Sequence, residues 1–257
     1  MYFFRSIAAA FSMFSRIPMP QVKWDEKTTT YLLCAFPLVG LLIGGAELLW
    51  LWLSQLLQLG SLLRAVGLSL LPLLLSGGIH MDGFCDVQDA LACHGSPEQR
   101  REILKDPRSG AFAVIGAAAY LLAWLGLASE LPTEGAASLL FALSFLLSRS
   151  LSALLSRLYP KDTGKGLLHT FRSGQKKKAP MLLLLLWNAG TFLVMLLLDP
   201  LRSAAMLFAA TLCLLRLLHL ARQKFGGISG DLSGWFLQWA ELAMLGALIL
   251  TEKVVSL

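Results

Sequence analysis

"MLLLLLWNAGTFLVMLLL", residues 181 to 198, runs for eighteen residues without a charged side chain. A helix rises about 1.5 Å per residue, and a hydrocarbon core of ~30 Å takes ~20 apolar residues to cross. A block this long and this apolar exceeds what an ordinary core helix needs, so it reads as a membrane span. Working outward, similar blocks recur along the chain. Seven spans are expected, at roughly 32–53, 62–76, 111–129, 136–156, 181–198, 203–221 and 233–250. Of the 257 residues, 56% are hydrophobic and 15% charged, against about 25% charged in a typical soluble domain. The expected fold is therefore all-α: one polytopic integral membrane domain over residues 1–257, a bundle of about seven spans.

Residues 1 to 14 are apolar in patches, with Arg5 early, and are followed by "SRIPMP" rather than a small-residue cleavage site. That argues for an interfacial N-terminal helix rather than a cleaved signal peptide. The four cysteines, Cys34, Cys85, Cys93 and Cys213, have neither CxxC nor metal-finger spacing and read as small apolar fillers.

The net charge of +6 has a topological explanation that needs no nucleic acid. With the N-terminus cytoplasmic, seventeen of the 22 Lys and Arg residues fall on the inner face, from Arg5 through Arg100, Arg101, Lys105, Arg108 and the run Lys176–Lys178 to Lys224. Arg64, Arg202 and Lys253 fall outside, and Arg149 and Arg216 lie within spans. Positive residues are retained on the cytoplasmic side. The long polar loops 77–110, 157–180 and 222–232 then share that face, so the chemistry is expected there. A lipid bilayer is the implied partner, and the sequence leaves room for a homo-oligomer.

The first of these loops opens with "GGIHMDGFCDVQDA" (77 to 90). On a helix Asp82, Asp86 and Asp89 fall within about 60° of one another. Like charges on one face repel unless a cation neutralises them. Mg²⁺ suits the place: it takes oxygen ligands, keeps several waters and is commonly shared between carboxylates and substrate phosphates. Acids abutting an apolar span are otherwise expensive. Gly83 leaves room for a ligand to approach the backbone. His80 lies on another helical face and needs a non-helical turn at Gly77–Gly78 to join the acids, either as general base or through a structural hydrogen bond.

"RREILKDPRSG" (100 to 110) supplies complementary charge. Arg100, Arg101, Lys105 and Arg108 suit phosphate oxygens, Arg as a fork and Lys as a point charge; a juxtamembrane lipid anchor would have a similar composition. Asp106 either adds a metal ligand or orients Arg108. In "GGISGDLSGWFLQWAE" (226 to 241), glycines surround Asp231, and a helix starting there carries Glu241 deep into a span. Arg149 and Arg216 are its candidate partners. "YPKDTGKGLLHTFRSGQKKK" (159 to 178) does not fit GxxxxGK[ST], which excludes a P-loop.

"GGIHMDGFCDVQDA" followed by "REILKDPRSGAF" resembles the cobalamin synthase family, the integral membrane adenosylcobinamide-GDP ribazoletransferases. "FSRIPMP" (14 to 20), "FPLVGLLIG" (36 to 44) and "GGISGDLSG" (226 to 234) are also similar to family stretches, so the likeness spans most of the chain. Ala90 and Gln238 depart from it, standing where the family often has Gly and an acid. The resemblance implies a Mg²⁺-dependent transferase in the bacterial cytoplasmic membrane, working at its cytoplasmic face. It joins adenosylcobinamide-GDP to α-ribazole or its 5′-phosphate and releases GMP, the last step of nucleotide loop assembly in cobalamin biosynthesis. A ribose hydroxyl attacks the phosphorus on the cobinamide side. On that reading Asp82, Asp86 and Asp89 hold Mg²⁺, with Asp106 or Asp231 assisting. Lys105 and Arg108 neutralise the diphosphate, and His80 or one of the acids takes the attacking proton. Gly83, Arg101, Gly110, Gly230 and Arg149 are expected to contact the substrates. Two rivals stay open at this point. A CDP-alcohol phosphotransferase shares the acidic cluster but has an Ala-Arg pair absent from "DGFCDVQD". A small-molecule transporter would account for Glu47 and Glu241.

Overall fold

The computed structural model describes residues 2–159 and 178–255. Ten α-helices and one π-turn lie among them: α1 (Tyr2–Phe14), α2 (Glu26–Leu56), α3 (Ser61–Ser76), α4 (Ile79–Ala92), α5 (Pro97–Ile103), α6 (Ala111–Ser129), α7 (Gly135–Leu158), α8 (Lys178–Leu198), α9 (Pro200–Leu220), the π-turn Ala221–Phe225, and α10 (Gly230–Val255). Six of them (α2, α6, α7, α8, α9 with the π-turn, and α10) are long and apolar enough to cross a membrane. The seventh expected span is α3, which is short and breaks from α4 by 95°. The protein is thus an all-α polytopic membrane protein, with helices within a few residues of the expected spans. The largest difference is α2, which begins at 26 rather than 32 because Asp25 caps it, accepting from the Thr28 amide at 2.7 Å. Of the expected loop at 157–180, the part from 160 to 177 lies outside the described residues.

α1 is not a separate anchor. Ala9 and Ala10 are fully buried against the core, the Ser6 hydroxyl donates to the Thr28 carbonyl at 2.8 Å, and Phe4 faces outward. The centre of the bundle is α7, packed most extensively on α2. A Cβ at Gly40 or Gly44 would come within 2.2 and 2.3 Å of the Phe145 and Ala142 carbonyl oxygens, so these glycines set the helix separation, as small residues do in membrane bundles. On the periphery, Leu122 of α6, Leu182, Leu193 and Leu197 of α8, and Phe208 and Leu215 of α9 are exposed. Such a rind is what a bilayer covers.

Arg149 of α7 and Glu241 of α10 pair at 2.5 Å inside this core, and the Ser148 hydroxyl donates to the same carboxylate oxygen at 2.7 Å. Of the two partners expected for Glu241, Arg149 is the one used; Arg216 is exposed. Glu47 of α2 is fully buried too, with neither carboxylate oxygen hydrogen-bonded among the described residues. At one end of the bundle Arg202 pairs with Asp199 and with Glu252 (2.7 Å), and Lys253 with Glu130 (2.6 Å). The opposite end carries α4, α5 and the start of α10.

Candidate functional site

Two glycines decide where α4 goes. Gly77 (φ +67°) and Gly78 (φ +77°) both take the left-handed conformation, which disfavours any residue with a Cβ. The chain leaves the spanning direction there, and α4 runs across the end of the bundle. Two further glycines seat it on α10. A Cβ at Gly83 would lie 2.8 Å from the Asp231 Cα, and one at Gly234 would lie 2.9 Å from the His80 carbonyl oxygen. Gly83 therefore admits the α10 backbone rather than the ligand expected there. Its effect is to bring the acids of α4 beside Asp231.

A cavity of about 750 Å³ opens at this junction. Its outer part carries Asp82, Asp231, Ser229 and Gly230 together with Arg101, Lys105, Glu98 and Glu102, all exposed or half-buried. Its inner part is lined by Met13, Phe14, Leu33, Phe36, His80 and Leu237, with Ser152 and Ser156 of α7. His80 is a residue of α4 itself, not of a non-helical turn, and is 5% exposed. The hydrophobic wall was not foreseen as part of a site, although Phe14 and Phe36 open the two family-like stretches "FSRIPMP" and "FPLVGLLIG". Ser229 was missed as well; its hydroxyl accepts from the Leu232 amide at 3.2 Å and starts α10.

The acids divide. Asp82 is exposed at the first turn of α4, and Asp86 is half-buried one turn on. Burial, then the charges of Asp82, Asp231 and Asp89, push the Asp86 carboxyl up to about 6. Asp89 turns elsewhere: its two oxygens accept the Gly110 and Ala113 amides at 2.6 and 2.8 Å. It caps α6 from outside that helix, so the metal reading of Asp89 and the substrate reading of Gly110 both give way to a structural role. Among the described residues, no group of three or more His, Cys, Asp or Glu side chains is arranged to hold a metal ion. Asp82, Asp86 and Asp231 nevertheless form a like-charged set, with no ion pair to any of them among the described residues. Mg²⁺ bound through one or two carboxylates, waters and substrate phosphates fits such a set better than a closed protein cage would.

The basic residues are placed by neighbouring acids. Arg101 donates to the Phe225 carbonyl at 2.7 Å and to Glu98 at 2.8 Å, tying α5 to the π-turn at the cavity wall. Lys105 pairs with Glu102 at 2.9 Å. Arg108 lies outside the cavity lining, its side chain 86% exposed, and forks onto Asp106 through Nε (2.9 Å) and Nη2 (2.7 Å). Hydrogen bonds from the Arg108 side chain and then its backbone amide hold the Asp106 carboxyl down at about 2. Asp106 therefore orients Arg108, the second of its two expected roles. Arg149 is removed from the substrate-contacting set: it is 1% exposed and committed to Glu241.

The sequence of this chain has known relatives. A sequence model of the cobalamin-5-phosphate synthases matches residues 6–249. The chain belongs to that family. Adenosylcobinamide-GDP ribazoletransferase from Lachnoclostridium phytofermentans is 40% identical over 99% of this chain and 97% of its own length. The proteins of the same name from Desulfitobacterium hafniense and Geobacillus kaustophilus are 33% and 30% identical, over 94% and 96% of this chain and 95% of each relative. No solved structure matches. Membership of the cobalamin-5-phosphate synthase family decides against both rivals, the CDP-alcohol phosphotransferase and the transporter.

Proposed function

We propose that this chain carries out the reaction its relatives are named for, transferring the cobinamide phosphate of adenosylcobinamide-GDP to α-ribazole or its 5′-phosphate at the cavity between α4, α5 and α10. The observation that carries this reading is that Asp82 and Asp231 line one cavity of about 750 Å³ together with Arg101 and Lys105. Phosphoryl transfer asks a protein mainly for positioning and for charge placed where it develops.

The residues divide the work as follows. One or two of the carboxylates Asp82, Asp231 and Asp86 at a time, completed by water and substrate phosphate, would hold Mg²⁺, which would offset the negative charge of the diphosphate and of the leaving GMP. Lys105 and Arg101 draw the diphosphate against α5, and Arg108 reaches it by exchanging Asp106 for a phosphate oxygen. The acceptor's ribose hydroxyl forms the new O–P bond as the bond from that phosphorus to the GMP oxygen breaks. The hydroxyl proton passes to a carboxylate at the cavity mouth, Asp82 or Asp231, and from there to solvent. The end of the bundle bearing α4 and α5 faces the cytoplasm of a bacterial cell, because Arg100, Arg101, Lys105, Arg108, Arg222 and Lys224 gather there.

The test is purified protein in detergent with adenosylcobinamide-GDP, α-ribazole and Mg²⁺, following GMP release together with the cobalamin product. Release that needs both substrates and stops with chelator or in Asp82→Asn is the expected result. GMP release at the same rate without acceptor, or undiminished in chelator, would overturn the reading.

A further inference from the structure

The mechanism above uses the outer part of the cavity and leaves its inner part without a task. There Phe14 and Phe36 touch (ring centroids 4.3 Å apart), and His80 lies against both, at 6.2 and 5.6 Å. These three side chains come from α1, α2 and α4, together with Met13, Leu33 and Leu237 on the same wall. His80 is 5% exposed, and its Nε2 is buried without a hydrogen-bond partner among the described residues. An unpaired polar atom among apolar groups is destabilising, so a site that keeps one there has a use for it.

We propose that the inner part of this cavity is the subsite for the flat heteroaromatic base of the acceptor nucleoside, with His80 as the positioning residue that hydrogen-bonds the base. The proposal rests on the transfer reaction inferred above, and three features select this occupant. The first is size: the whole cavity, its charged outer part included, is about 750 Å³, the scale of a drug-sized ligand, so its inner part has room for a flat base and not for a corrinoid carrying its adenosyl group and nucleotide. The second is chemistry. The benzimidazole of α-ribazole is flat and apolar, with one ring nitrogen bound to ribose and one free to accept a hydrogen bond. That matches an aromatic wall with a single imidazole. Guanine, the other base in the reaction, would bring a carbonyl, an amino group and ring N–H and N groups against Met13, Leu33, Phe36 and Leu237, where unpaired polar groups are penalised. The third is register. His80 packs against Gly234, and Gly83 against Asp231. His80, Asp82 and Asp231 line the same cavity, so a base held at His80 has these carboxylates in the same space as its ribose.

The experiment uses the full chain in lipid nanodiscs and two readouts. In steady-state kinetics, His80→Phe, which keeps a ring and loses the hydrogen bond, should raise the KM for α-ribazole about tenfold. His80→Gln, which keeps a polar group, should raise it less than about threefold. Phe36→Leu and Phe14→Leu, which keep apolar volume and lose the ring, should each raise it about fivefold. The KM for adenosylcobinamide-GDP should stay within about twofold in all four. Equilibrium dialysis of α-ribazole, without the second substrate, should show the same order of affinities. Equal shifts in both KM values, or a shift confined to adenosylcobinamide-GDP, would overturn the subsite. Dialysis needs no turnover: a wild-type chain that binds α-ribazole in this order yet releases no GMP would sink the transfer reaction and leave the subsite standing.

Discussion

Gly83 meets the backbone of Asp231 so closely that an added Cβ would lie 2.8 Å from the Asp231 Cα and 3.0 Å from its carbonyl oxygen. Backbone cannot swing aside as a side chain does, so Gly83→Ala must push α4 away from α10. The displaced helix carries Asp82 and Asp86 with it. Displacements of about 1 Å cost catalysis on the order of 10²-fold, so turnover should fall at least tenfold while helical circular dichroism is retained. Gly45→Ala, where a Cβ meets nothing within 4 Å, should leave turnover unchanged. Near-normal activity in Gly83→Ala would show that the contact does not set the site.

Asp82 and Asp89 differ by two turns of one helix and should differ in kind. Asp82→Asn removes charge from the cavity mouth and should abolish GMP release with little effect on folding. Asp89→Ala removes the acceptor of two amides at the start of α6 and should cost about 1 kcal/mol of stability, as lost caps do. The Mg²⁺ concentration for half-maximal rate should then be unchanged. A rise in that requirement in Asp89→Ala would return this carboxylate to the metal set.

Asp89 also illustrates what a sequence can and cannot disclose. Hydrophobic block length gave the spans to within a few residues, since hydrocarbon thickness is a one-dimensional constraint that composition meets locally. The spacing of Asp82, Asp86 and Asp89 put three carboxylates on one helical face correctly. It could not tell that the last points to the amides of Gly110 and Ala113, because that depends on how α6 meets α4. Arg149 carried two expectations, a substrate contact and a partner for Glu241, and only the packing of α7 on α10 decides for the second, 92 residues on. Phe14 and Phe36 were invisible as site residues because phenylalanine in an apolar block carries no signal until three helices converge on His80.

The buried pair of Arg149 and Glu241 should behave unlike the solitary Glu47. Glu241→Gln leaves a guanidinium uncompensated at 2% side-chain exposure, and breaking a buried pair on one side costs about 3–5 kcal/mol. Its thermal unfolding in detergent should move sharply downward. Among the described residues Glu47 has no hydrogen bond to lose, and an unpaired carboxyl group is the costlier tenant of an apolar bundle. Glu47→Gln should therefore unfold at the wild-type temperature or above it. Marked destabilisation in Glu47→Gln would mean that this carboxylate has a partner in the working protein.

Arg108 separates a phosphate clamp from a lipid anchor. Its fork is engaged by Asp106, but the side chain is 86% exposed, and solvent-exposed pairs contribute little. The guanidinium can therefore leave Asp106 for a phosphate at small cost, arriving already oriented. A clamp needs two parallel donors at a fixed position, which lysine cannot supply. Arg108→Lys should thus lower kcat/KM for adenosylcobinamide-GDP by about tenfold, equivalent to ~1.4 kcal/mol of transition-state stabilisation. Asp106→Asn keeps the fork and loses only its orienting partner, so its loss should be smaller, about threefold. An anchor works through summed charge, each residue contributing ~1 kcal/mol near an anionic surface, and there Lys serves as well as Arg. The decisive comparison is kinetics against vesicle binding. A slowed enzyme with unchanged affinity for anionic vesicles marks a clamp. Wild-type kinetics in Arg108→Lys, with vesicle binding lost in Arg108→Ala, would make this loop an anchor and leave the diphosphate to Arg101 and Lys105.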